Sequence, residues 1–132
     1  MATDIQITRV YAASPQQLWD AWTQPAQLAR WWGKRGWNAQ LDSIELDVRP
    51  GGTFRVTTVN QAGDEMTNEG RYTEVDEPHR LRLGETVVTF TDLGDGRTEM
   101  HFTTTTEATG ELFERMTAGM KSAFERLEEA LR

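Results

Sequence analysis

The chain has 132 residues, 37% of them apolar, with no cysteine, two histidines and a net charge of −7 from 14 basic and 21 acidic groups. The lack of cysteine excludes a disulfide framework, a thiol nucleophile and any zinc site built on thiolates, and two histidines argue against an ordinary histidine-rich metal site. The acidic balance argues against nucleic acid and anionic membrane surfaces, both of which need basic patches, and no apolar run approaches a membrane span. A single domain over 1–132 is expected. The opening MATDIQITRVY lacks the charged-then-apolar pattern of a signal segment, so a cytoplasmic location is expected as well.

From Asp4 to Ala12, Ile5 and Ile7 alternate with Gln6 and Thr8, and Tyr11 follows, which predicts a strand. Ser14-Pro15-Gln16-Gln17 predicts a helix start, with a serine cap, a proline at the first helical position and a glutamine that completes a capping box. That helix carries Leu18, Trp19, Ala21 and Trp22. Pro25 opens a second short helix with Leu28, Trp31 and Trp32 at helical spacing, and Gly33 is placed to end it.

From Ser43 the period changes to two. Ile44, Leu46 and Val48 alternate with charged residues, and Pro50-Gly51-Gly52 reads as a turn, since no lysine or helix follows to make it a phosphate loop. Phe54, Val56 and Thr58 share one face of the next strand, and Met66, Asn68, Gly70 and Tyr72 share one face of the strand from Glu65 to Val75. Arg80 to Leu83 is a short strand, Thr86 to Leu93 offers Val88 and Phe90, and Gly94-Asp95-Gly96 is a tight hairpin. Arg97 to Thr106 closes the sheet, with Met100, Phe102 and Thr104 on one face.

The last stretch, from about Thr109 to Leu131, has Leu112, Phe113, Met116, Met120, Ala123, Phe124, Leu127 and Leu131 on one helical face. Arg115, Lys121, Glu125 and Arg126 fall among the charged residues opposite. A helix of that length spans roughly 33 Å, about the width of the domain. Strands joined by short turns imply an antiparallel meander with one face against this helix, an α+β architecture.

Five stretches, SPQQLWDAWTQPAQLARWWG, LDVRPGGTFRV, EGRYTEVDEPHRL, GDGRTEMHFT and GMKSAFERLEEAL, keep a known order and spacing over nearly the whole chain. Together they resemble the helix-grip fold of the START-like (SRPBCC) superfamily, and within it the group named after the activator of heat-shock-protein-90 ATPase. The resemblance implies a curved sheet wrapped around the long helix, a cavity between them, and RWWGKRGW closing one end. It supplies no shared catalytic residues. Met120 stands where this group often has an aromatic after the helix glycine.

The inner faces give the candidate cavity lining: Trp32, Trp37, Phe54, Val56, Thr58, Asn68, Tyr72, Phe90, Met100, Phe102, Phe113, Met116 and Met120. Each methionine reads first as plain core, and Trp31, Trp32 and Trp37 first as core and loop anchors; four methionines on facing surfaces suit an adaptable cavity. His101 falls on the outer face and His79 in a turn. Tyr72 is the inner-face titratable group, and Lys34 and Arg35 sit at the supposed mouth. The expected ligand is therefore small, apolar and neutral, oriented by Tyr72 or Asn68, with no cofactor and no metal. A polyketide cyclase or dehydratase on the same fold and a chaperone-interacting module are the alternatives. The length leaves no room for the separate N-terminal domain of the co-chaperone, which counts against the second. A monomer or weak homodimer is expected, with no membrane insertion.

Overall fold

A computed structural model describes residues 2–131. Alternation along β1 (Thr3–Tyr11) buries Ile5, Ile7 and Tyr11. The capping box then forms as the sequence requires: the Ser14 hydroxyl accepts from the Gln17 amide at 3.1 Å, and the Gln17 side chain accepts from the Ser14 amide at 2.8 Å. It starts α1 (Pro15–Thr23), whose Leu18, Trp19, Ala21 and Trp22 are buried. A four-residue helix, α2 (Pro25–Leu28), follows. It ends earlier than its apolar spacing suggests, and the chain continues to Trp32 in turns closed on the Leu28 carbonyl.

The strands are β2 (Trp37–Ala39), β3 (Glu45–Leu46), β4 (Thr53–Asn60), β5 (Glu65–Asp76), β6 (Arg80–Leu83), β7 (Thr86–Gly94) and β8 (Arg97–Thr106). They pair antiparallel in the order β1-β8-β7-β6-β5-β4-β2, with β3 sharing the outer edge of β4. This curled sheet receives α3 (Gly110–Ala130), and the α+β helix-grip architecture is established.

Two local readings are corrected. Trp37–Ala39 is a strand on β4, not loop. The strand expected from Ile44 to Val48 shrinks to two residues, because the Ser43 side chain intervenes: its Oγ accepts from the Thr57 amide at 3.0 Å and donates to the Gln40 carbonyl at 2.6 Å, leaving Leu41–Ser43 as a 3-10 turn. Thr109 occupies the N-cap position of α3, yet its side chain makes no capping hydrogen bond.

Pro50-Gly51-Gly52 does more than turn the chain. Gly51 donates to the Tyr72 carbonyl at 2.7 Å and Tyr72 donates to the Gly52 carbonyl at 3.0 Å, which brings β5 against the turn. A β-carbon on Gly52 would lie 1.9 Å from the Asp47 carbonyl oxygen, so only glycine fits. Just beyond, a register shift between Tyr72 and Glu74 reverses the parity of β5 and turns Val75 toward the core.

Packing is uneven along α3. Ala123, Phe124 and Leu127 are buried; Met116 and Met120 are half-buried; Leu112, on the same stripe, is 58% exposed. No helix of the described residues is long and apolar enough to cross a membrane.

This gradient sets different costs for truncation. Leu127→Ala is expected to lower unfolding free energy by ~2–5 kcal/mol, the range for fully buried leucines. Leu112→Ala is expected to change it by less than about 0.5 kcal/mol, as exposed sites do. Urea denaturation of the two variants checks this; equal losses would contradict the described seating of the helix.

Candidate functional site

The gap between the less packed half of α3 and the sheet is a cavity of about 560 Å³. Phe54, Thr58, Met66, Asn68, Leu83, Thr86, Phe102 and Thr104 line it from the sheet; Leu112, Met116, Gly119, Met120, Ala123 and Phe124 from the helix. Trp22, Trp31, Trp32, Gly33, Lys34 and Trp37 form its end wall.

The wall is an aromatic cluster. Trp22 meets Trp31 at 4.9 Å between ring centroids and Trp32 at 5.9 Å, and Trp32 meets Phe54 at 5.2 Å, all edge-on. Such pairs add about 0.5–1.5 kcal/mol beyond burial and hold the rings in place. The Trp31 indole donates to the Ala21 carbonyl at 2.9 Å, fixing the end wall to α1.

The loop from Gly33 to Trp37 is clamped from the helix by Arg126. One guanidinium nitrogen donates to the carbonyls of Gly33 and Trp37, both at 2.8 Å. Burial, and secondarily the nearby charge of Arg35, lower the pKa of Arg126, which still remains charged. Two outer contacts assist: the Arg35 amide donates to the Ser122 hydroxyl at 3.1 Å, and the Arg35 guanidinium pairs with Glu129 at 2.6 Å. Gly33 is required in the turn, because φ is +96° and a β-carbon there would stand 3.1 Å from the Thr58 methyl. Arg126 is the residue that reading the charged helix face as solvated missed.

Of the thirteen anticipated lining residues, Trp32, Trp37, Phe54, Thr58, Asn68, Phe102, Met116 and Met120 come together around the cavity. Val56, Tyr72, Phe90, Met100 and Phe113 do not line it. The first four are fully buried core: Phe90 packs edge-on to Trp19 of α1 at 6.5 Å, and Tyr72 packs against Phe54 at 6.2 Å. Phe113 is partly buried against the core. The reason is coverage: alternation assigns a face, whereas the elements packed over it, such as α1 over Phe90, decide which part of that face is sealed. Tyr72 thus lies outside the cavity lining, buried in the core. Among the described residues its buried hydroxyl has no hydrogen-bond partner, and desolvation, with a smaller effect of Asp47, raises its pKa.

Polar groups in the lining are few. The Trp32 indole donates to Asn68 Oδ1 at 3.2 Å, Thr86 and Thr104 share a hydrogen bond of 2.8 Å, and Thr58 donates to the Met66 carbonyl at 3.3 Å. The charged lining residues are Lys34, Glu69 and Arg115, all exposed and therefore at the rim. Glu69 pairs with Arg55 at 3.4 Å and Arg115 with Glu111 at 3.2 Å. His101 lies outside this site, with both ring nitrogens on threonine hydroxyls: Thr8 at 2.8 Å and Thr103 at 3.1 Å.

A curled sheet, a long helix across it, two short helices after the first strand and a cavity between them define a START-like helix-grip domain. A family model described as Activator of Hsp90 ATPase homolog 1-like protein matches residues 12–132, and the chain belongs to that family. It is similar to a crystal structure from Rhodobacter sphaeroides, at 28% identity over 98% of this chain and 91% of that one, with a TM-score of 0.82. A crystal structure from Mycobacterium smegmatis shares 26% identity over 97% and 90% of the two chains, with a TM-score of 0.79. A Silicibacter pomeroyi protein named for the same family shares the fold at 24% identity over 98% and 97%, with a TM-score of 0.78. No curated protein matches the sequence.

The clamp has a measurable signature. Arg126→Met should cost about 2 kcal/mol, since it removes charge-assisted hydrogen bonds and strands two carbonyls. Arg126→Lys should recover only part of that, because a shorter, strongly hydrated ammonium does not hold two hydrogens in the fixed plane by which one guanidinium nitrogen serves both carbonyls. Arg35→Met breaks an exposed pair and should cost less than about 1 kcal/mol. Equal losses from Arg126→Met and Arg35→Met in chemical denaturation would show that Arg126 does not hold the loop.

Proposed function

We propose that this domain binds a small, mostly apolar molecule between α3 and the sheet. The observation that supports this is the cavity itself: about 560 Å³, walled by tryptophans, phenylalanines and methionines with a few placed polar groups. Pockets for small molecules typically fall at ~300–1,000 Å³ and have this mixture. Methionines on the helix side suit an adaptable fit. The position of the charged lining residues supports binding over acid–base chemistry. A general acid or base must lie within hydrogen-bond reach of the reacting group, and Lys34, Glu69 and Arg115 stand at the solvent edge.

Native mass spectrometry of protein purified from its own host is the direct test, with a retained mass as the expected result. A parallel titration with a neutral apolar probe should show Met120→Trp, which fills the cavity, losing at least about tenfold in affinity. Its thermal midpoint should stay within a few degrees of the native value. Absence of any retained mass, with probe affinity unchanged by the filled cavity, would refute the reading.

A further inference from the structure

Among the described residues, the polar groups at the cavity left without a protein hydrogen-bond partner are donors. The Trp32 indole N–H can only donate, so the Asn68 oxygen must face it at 3.2 Å, and the Asn68 amide nitrogen is left with its two hydrogens unassigned. Lys34 is the second donor. A β-carbon placed on Gly119 falls 3.7 Å from Lys34 Cδ, so the lysine stem lies over the helix at that glycine. Its ammonium stands 5.8 Å from the Trp37 ring centroid. Among the described residues Lys34 carries no ion pair, whereas the other charges of the lining are matched: Glu69 by Arg55 and Arg115 by Glu111. The Trp22 indole N–H, buried in the same end wall, is a third donor, with no hydrogen-bond partner among the described residues.

The expectation of a neutral ligand rested on the strand faces, on which no cation falls, with Lys34 and Arg35 placed only at the mouth. The cation comes instead from the loop that Arg126 holds down. We propose that the ligand is amphipathic, with an apolar body among the aromatic rings and an anionic, acceptor-rich end at the mouth, met by Lys34 and Asn68. A carboxylate is the simplest such group. It accepts from an ammonium and an amide at once, and charge-assisted bonds of this kind are the stronger ones. This rests on the cavity being a binding site, and it adds which end of the molecule faces out.

Matched acid and alcohol probes separate the two ideas: dodecanoate against dodecanol, and 2-naphthoate against 2-naphthylmethanol, titrated by calorimetry at one fixed ionic strength. The native protein should favour the acid by about tenfold in at least one pair. In Lys34→Met that ratio should fall toward one; in Lys121→Met, the same charge change on the exposed side of α3, it should persist. Asn68→Asp keeps an acceptor for Trp32 and replaces the free amide with negative charge, so it should reverse the preference. Reading a ratio cancels any general loosening of the cavity. A native ratio near one, or an acid preference that survives Lys34→Met, overturns the anionic end and leaves the binding reading standing. No heat from any of the four probes, with no retained mass in the native spectrum, removes both.

Discussion

Phe124 joins the parts of this fold. Its ring packs against Phe102 of the sheet at 5.1 Å, Trp22 of α1 at 6.2 Å and Trp31 of the end wall at 6.3 Å. Its carbonyl accepts the buried Tyr11 hydroxyl of β1 at 2.9 Å. A tyrosine hydroxyl taken from water needs such a partner, and one hydrogen bond here joins the first strand to the last helix. With that point and Leu127 fixed, the long helix has a defined height over the C-terminal half of its course. The sheet curls away from its other half. Met116, Met120 and Leu112 therefore face space that no side chain fills, and the cavity follows from where the helix is anchored.

That anchoring also accounts for the end wall. Trp31 and Trp32 follow α2 at the level of Phe124, and the chain must then turn back to reach β2 on the sheet edge. Gly33 makes the turn, and Arg126, close to Phe124 on α3, satisfies the two carbonyls that the turn leaves without strand partners. Unpaired backbone acceptors at a half-buried site are costly. An arginine two residues beyond Phe124 removes that cost and keeps Lys34 and Trp37 at the mouth.

The order of elements was legible because each is written in local chemistry: the Ser14 capping box, the period-two strands, the Gly94-Asp95-Gly96 hairpin, the long amphipathic helix. The side chains that share a face were legible too. What periodicity does not encode is coverage. Phe54 and Phe90 share a face by alternation, yet one borders open space and the other lies under Trp19. The bulge after Tyr72 and the Ser43 contacts depend on partners distant in the chain, so no local pattern announces them. Arg126 did leave a signal. It lies three residues after Ala123 and four before Ala130, at the edge of the buried stripe, where a long side chain buries its stem and sends its head to a polar partner.

The charge pattern bears on how such a site selects. The whole chain carries −7, which repels anions at a distance and argues against electrostatic steering of an acidic ligand. At physiological ionic strength that repulsion is screened beyond about 8 Å, whereas an ammonium in contact with a carboxylate is not. Discrimination would then operate at contact, after the apolar body has begun to displace water from the rings. Lys34 held over Gly119 and beside Trp37 is suited to that order of events. Its stem is already packed, so less side-chain freedom is lost when it meets an acceptor than for a lysine free in solvent. A neutral molecule of the same shape meets the same rings but leaves an ammonium and an amide at the mouth without their acceptor. On the proposed reading, selectivity would be set at the rim of this cavity and affinity by its apolar wall.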